Sequence, residues 1–596
     1  MTKGGILIVP EYRPHRGGGH LCRCIELTCD LRASGRAAWL FLPANARTGN
    51  LFQTMNFSPA WRITDEELER IRADTECIIL DRFKTEADEL SRWKEIAPVI
   101  GIDEGGKSRD SFNFLIDILV PEKLIYPPAN ISSVALLKFP SGPLPQKHPS
   151  GCVLKVLITF GQEDSSGLGQ KTARALSTTD GMDITLLRGA LAKGEAETLP
   201  NIRFIEAIPR LAEHLGEYDL VITHYGITAF EALHAQTMVL LASPTAYHAK
   251  LAKTAGFFTF NPNLCAPVRI INKKLEKLKS HCEKLAVRYG LDKKGESLAD
   301  LCGGFLPQAY RLCPVCGAKA PADSVCRFSD RTYRRCRKCG VIFMDRICPP
   351  PIEYEKKYFF ESYRRQYGKT YLEDFPNIKA EGRRRLKIIS SLLPAKKSGE
   401  DRSLLDIGCA YGPFLAAARE EGFSPAGIDP AEDAVRYVQE ELAIQAVRGF
   451  FPNSPLPSSQ PYDAVTLWFV IEHFTDIKSA VAQIKNILKP DGILAFSTPS
   501  FSGISGRSSL RRFLSASPAD HFTVWSPAMC KKALAFCGFK VKKTITIGHH
   551  PERFPLSGKL AKSKKSPLYR PLSAISKLFG LGDTFEVYAQ LRKENI

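Results

Sequence analysis

The sequence has no secretory signal and no run long enough to cross a membrane. Its first residues, MTKGGILIVPEYR, contain no basic segment followed by an apolar one of signal-peptide type. No run of about 18 apolar residues occurs, so no transmembrane helix is predicted. The 17 cysteines stand singly or in CxxC pairs, which favours free thiols and a metal site over disulfides. We expect a cytoplasmic chain.

Length and charge predict several domains of unequal character. With 596 residues the chain is too long for one hydrophobic core, and about three domains are expected. Residues 1–300 contain 37 Lys and Arg against 35 Asp and Glu, whereas residues 301–596 contain 45 against 28. The basic excess of the second half favours an anionic partner for it, and solubility alone is the other explanation.

The stretch HRGGGHLCRC, residues 15–24, has the composition of a metal site, a phosphate cradle or a tight turn. The apolar run GGILIVP before it predicts a strand, a helix ending at Gly35 follows, and AAWLFLP predicts another strand. In this strand–loop–helix–strand context the glycines let a ligand approach the backbone. Cys22 and Cys24 would point to different sides of the helix, which argues against a metal site.

The same pattern recurs after a linker rich in Pro, Gly and Ser at residues 138–151. VLKVLITFG predicts a strand ending in Gly161, followed by strands in MDITLLR, IRFIEA, DLVITHYG and MVLLASP and by helices in IPRLAEHL and TAFEALHAQ. We therefore predict an α/β fold with two doubly wound lobes, residues 1–140 and 150–300, and a ligand between them.

Three segments of this half resemble known enzymes. GGGHLCR resembles the G-x-G-H-x-x-R loop of GT-B nucleotide-sugar enzymes, and YGITAFEALHAQTMVLLASP resembles their donor-binding G-x-T-x-x-E segment. VIGIDEGG, residues 99–106, supports a likeness to the UDP-sugar hydrolase type of pseudaminic acid biosynthesis. The resemblance implies a two-lobed GT-B-like unit that binds a UDP-sugar.

The resemblance also implies roles for individual residues. Gly226 and Thr228 would hold the diphosphate at a helix start, and Glu231 would accept hydrogen bonds from the ribose. His20 would face the anomeric centre as a base. The alternatives are a backbone-capping loop histidine and a helix-surface glutamate. The further candidate substrate-binding positions are Gly19 and Gly161.

Two positions depart from the GT-B pattern. Tyr247 and His248 stand where the resembled family commonly has Asn-Gln, which leaves the sugar and turnover open. Should His20 not be the base, Asp103 and His248 are the next candidates.

Four cysteines near the middle of the chain predict a zinc ribbon. Cys313 and Cys316 form one CxxC, and after nineteen residues Cys336 and Cys339 form another. Four thiolates fill a tetrahedral site, so we expect structural Zn²⁺ at residues 310–350. The other reading is four unrelated cysteines. Cys326 and Cys348 fall outside the pattern.

The last part of the chain contains a nucleoside-binding pattern. RSLLDIGCAYGPFLAAAREEG predicts a strand, a glycine turn and a helix, and SPAGIDPAEDAVRYV predicts a strand ending in Asp429, 21 residues after Gly408. An acidic residue at that distance is typical of ribose recognition. The loop GCAYG lacks the glycines that would cradle a diphosphate, which favours S-adenosylmethionine over the dinucleotide of a Rossmann oxidoreductase.

From about residue 310 onwards, with the methyltransferase domain at residues 355–596, the chain resembles class I SAM-dependent methyltransferases of the type with an N-terminal four-cysteine zinc-binding motif. CRKCGVIF, KYFFESY and DHFTVWSPAMCKKALAFCGF carry the resemblance. It implies that Asp406, Gly408 and Gly412 form the methionine-side loop, that Asp429 binds the ribose, and that Trp468 to His473 close the substrate side. Ala410 replaces a usual glycine, and alanine favours a negative φ there.

A methyl acceptor on carbon or oxygen must lose a proton. His473 and His521 are the candidate bases, with a structural role as the alternative for each. Before a final strand in TFEVYAQLRK, a basic insertion near residues 551–580 interleaves lysines with apolar residues. It is suited to an anionic membrane surface, here the inner face, or is a solvated loop.

We interpret the chain as a UDP-sugar-dependent glycosyltransferase or hydrolase fused to a methyltransferase that modifies a sugar or glycoconjugate. One alternative is a nucleic-acid methyltransferase, which the lack of an RRM or KH signature argues against. The other is a methyltransferase whose nucleotide-sugar half binds without turnover.

Overall fold

The computed structural model describes residues 4–592 apart from short gaps. The gaps are residues 13–17, 47, 49–50, 120–127, 141–152, 162–163, 165, 190–197, 207, 209, 262–265, 292–294, 319–322, 351–359, 362, 396–400, 459–460, 556–559, 561–562 and 564. Most of the predicted linker and most of KYFFESY lie outside the described residues. The chain forms two compact units. The first comprises residues 1–309, 327–331 and 346–348, and the second comprises residues 310–326, 332–345 and 349–596.

The first sheet of the first unit has seven parallel strands in the order β3-β2-β1-β4-β5-β6-β7. Its strands are β1 (Gly5–Pro10), β2 (Ala38–Phe41), β3 (Arg62–Ile63), β4 (Thr75–Asp81), β5 (Val99–Ile102), β6 (Phe114–Asp117) and β7 (Ile131–Ser132). Its helices are α1 (Gly18–Ala33), α2 (Leu51–Thr54), α3 (Leu68–Ile71) and α4 (Ala87–Lys94).

The second sheet of this unit has six parallel strands in the order β10-β9-β8-β11-β12-β13. Its strands are β8 (Leu154–Ile158), β9 (Met182–Leu187), β10 (Ile202–Ile205), β11 (Leu220–Thr223), β12 (Met238–Ala242) and β13 (Thr259–Phe260). The accompanying helices are α5 (Leu168–Leu176), α6 (Ile227–His234), α7 (Ala246–Ala255), α8 (Ala266–Arg288) and α9 (Leu298–Gly303).

Burial on both faces explains the continuous apolar runs that predicted these strands. In β1, Ile6 and Ile8 pack into one core cluster, while Leu7 and Val9 pack into another on the opposite face. Parallel strands covered on both faces have this composition. The predicted α/β class with two doubly wound sheets is confirmed.

Two local predictions in this unit were wrong. IPRLAEHL forms only two 3-10 turns, Leu211–Glu213 and Leu215–Glu217, instead of a helix. A left-handed Arg210, φ 53°, precedes the first turn and stops helical propagation. The loop predicted to hold His20 is already helical from Gly18, so His20 lies in the first turn of α1.

A four-stranded sheet adjoins the turns that carry the ribbon cysteines. Its order is β14-β15-β16-β22, and β16 and β22 are antiparallel. The strands are β14 (Asp323–Phe328), β15 (Arg331–Arg335), β16 (Ile342–Arg346) and β22 (Thr523–Val524). β22 belongs to the region predicted as methyltransferase. Its pairing with β16 therefore joins the ribbon strands to that region in one sheet.

The large sheet of the second unit has the order β19-β18-β17-β20-β21-β24-β23. Its strands are β17 (Arg402–Ile407), β18 (Phe423–Asp429), β19 (Gln445–Arg448), β20 (Tyr462–Trp468), β21 (Leu488–Pro499), β23 (Phe539–Ile547) and β24 (Thr584–Leu591). The pairs β21–β24 and β23–β24 are antiparallel and the others are parallel. The predicted Rossmann-like sheet and its final strand are confirmed.

Nine helices of the described residues accompany this sheet. They are α10 (Tyr363–Tyr367), α11 (Tyr371–Leu392), α12 (Pro413–Glu420), α13 (Glu432–Glu440), α14 (Ile477–Ile487), α15 (Ile504–Ser508), α16 (Leu510–Ser515), α17 (Pro527–Phe536) and α18 (Tyr569–Leu578). Within the part of the chain that the structure describes, no helix combines the length and the apolar character needed to span a bilayer.

Candidate functional site

A glycine turn follows the central strand of the second unit. β17 ends at Ile407, and α12 begins at Pro413 after two left-handed glycines, Gly408 with φ 75° and Gly412 with φ 74°. A Cβ atom on Gly408 would lie 2.5 Å from a methyl carbon of Val470, and one on Gly412 would lie 2.8 Å from Leu442. Both positions therefore require glycine on conformational and steric grounds.

Ala410, between these glycines, corrects the expectation of a negative φ. Its φ is 47°, in the left-handed region that alanine rarely adopts. Its backbone N–H donates to Asp429 Oδ2 over 2.8 Å. The turn keeps its left-handed form at alanine, and the bond to the neighbouring strand offsets part of that strain.

Asp429 ends β18, beside the turn. Its Oδ2 accepts from the Ala410 N–H and its Oδ1 accepts from the Ala431 N–H over 2.9 Å. Burial raises the pKa of this carboxyl, and the two N–H donors offset part of that effect. The net pKa is about 6. Each oxygen retains a lone pair, so the fixed carboxylate is suited to accept from two adjacent hydroxyls.

Asp406 lies within β17 rather than in the turn. Its Oδ1 accepts from the Thr466 hydroxyl over 2.6 Å, and the residue is buried. Burial raises its pKa to about 7, against the opposing effect of Arg385. Asp406 thus ties β17 to β20 directly beneath the glycine turn.

A compact cluster of ionisable side chains follows β20. Glu472 and His473 form a 3-10 turn with Ile471, and His473 Nδ1 lies 2.9 Å from Asp520 Oδ2. The rings of His473 and His521 meet edge to face with their centroids 4.7 Å apart. The structure thus brings both predicted base candidates together.

Electrostatics distinguish the two histidines. Asp520 and Glu472 raise the pKa of His473 despite its burial. Burial and the neighbouring His473 lower the pKa of His521 to about 3, so it stays neutral. Burial raises the pKa of Glu472 to about 7. Potential ligand atoms of Glu472, His473 and His521 lie within 4.8 Å of one another, the spacing that a divalent cation needs.

The four predicted ribbon cysteines converge. The Sγ atoms of Cys313 and Cys339 are 3.6 Å apart, those of Cys316 and Cys336 are 3.7 Å apart, and all four lie within 4.8 Å of one another. Tetrahedral Zn²⁺ with bonds near 2.3 Å would separate its sulfurs by roughly 3.8 Å. The four thiols therefore fit zinc.

A glycine follows the second cysteine of each CxxC knuckle. Gly317 and Gly340 have φ values of 64° and 85°, and their N–H groups donate to the carbonyls of Cys313 and Cys336. Cys348 lies apart from the cluster and donates to the Gly304 carbonyl.

The first unit contains a buried polar network around His20. His20 Nδ1 lies 2.6 Å from Asp81 Oδ1, and Arg23 donates to both Asp81 oxygens, from Nε over 2.8 Å and from Nη2 over 2.6 Å. Arg23 Nη1 also donates to Asp103 Oδ2 over 2.8 Å. Arg23 and His20 hold the pKa of Asp81 well below its usual range, so it is ionised.

The ionised Asp81 determines what His20 offers. A carboxylate on Nδ1 favours the tautomer with its proton there and leaves Nε2 as an acceptor. The His20 ring packs edge to face on Phe83, with centroids 4.5 Å apart. His20 is thus a rigid, oriented base candidate rather than a capping loop histidine.

Asp103 is fully engaged and is not suited to act as the base. Its Oδ1 accepts from the N–H groups of Ile118 and Leu119 over 2.7 and 2.8 Å, and Oδ2 accepts from Arg23. Its positive φ of 54° positions the carboxylate for these bonds.

The predicted nucleotide-binding residues lie at the start of α6. Gly226 is its N-cap, Thr228 is in its first turn, and Glu231 is in the second. Burial and nearby Glu26 raise the pKa of Glu231 to about 7, while the Thr228 hydroxyl lowers it. Gly226 is extended, with φ 174°, so its conformation does not require glycine.

The remaining two glycines differ in their surroundings. A Cβ atom on Gly19 would meet open space, which leaves its backbone approachable. Gly161 has φ 78°, and a Cβ atom there would lie 3.3 Å from the His224 ring.

Aromatic rings surround the positions that depart from the GT-B pattern. Phe83 lies within 6.2 Å of Tyr247 and 6.3 Å of His248 between ring centroids. His248 also packs against His224, 6.0 Å away, whose pKa burial lowers to about 4. These rings form an aromatic wall near His20, in which burial lowers the pKa of His224 and His248 and so favours their neutral forms.

Sequence reasoning missed the partners of both base candidates. Asp81 closes the apolar strand TECIILD, and Asp520 directly precedes His521. An acidic residue at the carboxyl end of a buried strand is a signal for Asp81. Asp520 lies 47 residues from His473, and the sequence contains no signal for that pairing.

Comparison with known proteins identifies one domain. A family model described as a methyltransferase domain matches residues 379–544. The ubiquinone biosynthesis O-methyltransferase of Actinobacillus pleuropneumoniae serotype 5b (strain L20) is 32% identical over 106 residues, which are 16% of this chain and 45% of that protein. The chain thus spans less than half the length of this relative.

Two solved structures give weaker likenesses. A SAM-dependent methyltransferase from Archaeoglobus fulgidus is 19% identical with a TM-score of 0.28, covering 39% of this chain and 99% of its own. A spinosyn forosaminyltransferase is 14% identical with a TM-score of 0.37, covering 50% and 97%. The family match and the sheet around the glycine turn together confirm the predicted methyltransferase domain in the second unit.

Proposed function

We propose that this chain is a glycan-modifying enzyme in which a SAM-dependent methyltransferase is fused to a unit that binds a UDP-sugar. The observation that carries the proposal is the glycine turn with Asp429 fixed beside it, in the same unit as the His473–Asp520 pair. Such a unit pairs a nucleoside site with a base.

The residues of the turn would hold S-adenosylmethionine. Asp429 would accept hydrogen bonds from its ribose hydroxyls, and the turn from Gly408 to Gly412 would hold its methionine part. The cofactor supplies an electrophilic methyl group on its sulfonium. Because methyl transfer needs alignment more than acid–base assistance, the rigid turn is the main contribution of the protein there.

His473 takes the proton that the methyl acceptor loses. Asp520 binds Nδ1 and stabilises the imidazolium form, which raises the pKa of His473. His521 packs against His473 as a neutral ring and positions it. The acceptor is a hydroxyl or an acidic carbon of a sugar or glycoconjugate.

The first unit would bind the UDP-sugar at α6 and react it at His20. Gly226 and Thr228 contact the diphosphate at the positive end of the helix dipole, and Glu231 binds the ribose. His20, held by Asp81, activates an acceptor hydroxyl or a water through Nε2. The first outcome is glycosyl transfer and the second is hydrolysis.

Labelled substrate tests the fusion. The full chain is incubated with methyl-labelled S-adenosylmethionine and a panel of UDP-sugars. We expect label in a sugar-containing product and UDP release from one member of the panel. Label incorporation without UDP binding would show that the first unit is inactive. The absence of both methyl transfer and UDP release would contradict the proposal.

The four ribbon cysteines would hold one structural Zn²⁺. Metal analysis of protein purified without chelator should give one zinc per chain, and Cys313→Ser should lose it. Cys326→Ser, outside the cluster, is the matched control and should retain the metal. Zinc-free wild-type protein would overturn the assignment.

A further inference from the structure

Helix α18 exposes large apolar side chains to solvent. Leu578 is 80% exposed, Phe579 65%, Ile575 41% and Leu568 37%. At 100° per residue, Leu568, Ile575 and Leu578 fall on one side of the helix, with Pro571 between them. We call these residues, together with Phe579, the apolar stripe.

The opposite side of α18 is anchored to the fold. Ser576 is fully buried, and its hydroxyl lies 2.8 Å from Nδ1 of His549, just after β23. The helix therefore has a fixed rotation, and the apolar stripe faces outward because the other side is already packed. Large exposed apolar patches on folded proteins mark interaction surfaces.

Basic side chains border the apolar stripe. Arg570 and Lys577 are both exposed and lie seven residues apart on the polar side of the helix, about 80–100° round its axis from Leu578. Lys565 is exposed just before the helix. Residues 551–580 contain seven Lys and Arg but a single acidic residue, Glu552. Among the described residues, Lys565, Arg570 and Lys577 thus add positive charge to the apolar contact area.

We propose that this face of α18 docks onto the surface of an anionic lipid bilayer. Apolar side chains enter the boundary between headgroups and acyl chains, while the flanking bases remain at the phosphate level. A ten-residue helix is roughly 15 Å long, which suits it to lie in the interface rather than to cross the membrane.

The charge and the apolar area of this face favour an anionic bilayer over a second copy of the chain and over a nucleic acid. A second copy placed symmetrically on the same face would bring two basic surfaces together, and like charges disfavour that contact. A nucleic acid would pair with the lysines but would leave Leu578, Ile575 and Leu568 exposed, since phosphates offer aliphatic side chains nothing to pack on. An anionic bilayer satisfies both halves of the surface.

Helix α18 lies in a connection between two strands of the methyltransferase sheet. The segment from Gly548 to Asp583 connects β23 with β24, which are adjacent strands at one edge of the methyltransferase sheet. Docking through α18 therefore holds the methyltransferase unit at a membrane. This inference does not depend on the proposed sugar chemistry.

Vesicle flotation tests the proposal with the full chain. The probes are vesicles of phosphatidylcholine alone and vesicles with about one third phosphatidylglycerol. We expect flotation with the anionic vesicles, little with the neutral ones, and weakening as salt rises, because exposed charges are screened. Equal flotation with both vesicle types, or none with the anionic type at low salt, would overturn it.

Paired variants locate the contact. Leu578→Ser with Phe579→Ser removes the most exposed part of the stripe and should weaken anionic-vesicle binding at least about tenfold. Arg570→Gln and Lys577→Gln should each weaken it about fivefold. The matched controls are Val287→Ser on α8, which is 68% exposed, and Lys279→Gln on the same helix, and both should bind as wild type.

Thermal unfolding is measured for each variant. The two charge variants alter only exposed polar groups and should therefore keep the fold, so they test the contact even if the apolar variant is unstable. Wild-type flotation by the charge variants would overturn the assignment to α18. If the apolar variant lost binding to an unstructured RNA to the same extent as binding to vesicles, the proposal would be overturned in favour of a nucleic-acid partner.

Discussion

His20 and His473 each bear an aspartate on Nδ1, but their surroundings differ. In the first unit Asp81 is shared between His20 and the bidentate Arg23, which also binds Asp103. In the second unit Asp520 and Glu472 act together on His473 and raise its pKa. One histidine is oriented by a carboxylate that a guanidinium holds in place, and the other has its pKa raised by surrounding carboxylates.

The two aspartates therefore act differently on their histidines: Asp81 orients His20, and Asp520 raises the pKa of His473. In the first unit the Asp81 carboxylate, held by Arg23, fixes the tautomer and ring orientation of His20. Asp520 is partly exposed, 18% for its side chain, and acts on the protonation of His473. In the proposed mechanisms the same two residue types would serve two different proton transfers, and each pair can be removed separately.

Removing each histidine should have the largest effect. His473→Ala should slow methyl transfer by about a hundred- to ten-thousandfold with unchanged SAM affinity, because a base acts in the transition state. His20→Ala should do the same to UDP release and leave methyl transfer intact. Rate measurements on both variants check this, and a loss of both activities in either one would remove the distinction between the sites.

Removing each aspartate should distinguish their structural roles. Asp81→Asn leaves the buried Arg23 without its bidentate partner and should lower the free energy of unfolding by about 3–5 kcal/mol. Asp520→Asn breaks a more exposed pair and should cost no more than about 1 kcal/mol. Denaturant unfolding measures both, and equal losses would contradict the comparison.

The pH dependence of methyl transfer should change most subtly. His473 must be neutral to accept a proton, so the rate should rise with pH through its pKa, which Asp520 and Glu472 raise above the usual histidine range. Asp520→Asn removes a charge that stabilises the imidazolium, so this rise should move to lower pH with a lower plateau. An unchanged pH profile would assign the proton transfer to another group.

The sequence predicted features that depend on neighbours along the chain. Gly408, Gly412 and Asp429 follow from a strand, a turn and a strand in close succession, and the CxxC pairs define their own knuckles. Both doubly wound lobes follow from apolar runs that are buried on two faces.

Pairings across long sequence distances were beyond prediction. Asp81 lies 61 residues from His20, and only the strand order β2-β1-β4 brings β4 beside the start of α1. The left-handed Ala410 was predicted wrongly because its intrinsic preference was weighed without the bond to Asp429. Tertiary contacts override local preference at such positions.

Binding calorimetry on the full chain tests the central claim most directly, since it needs no knowledge of the acceptor. Wild-type protein should bind both S-adenosylmethionine and UDP. Asp429→Ala should weaken S-adenosylmethionine binding about ten- to a hundredfold and leave UDP unchanged, because a charge-assisted bond to a diol contributes roughly 1.5–3 kcal/mol. Glu231→Ala should weaken UDP alone. Absence of UDP binding at millimolar concentration, or loss of both ligands in either variant, would contradict a chain with two separate nucleotide sites.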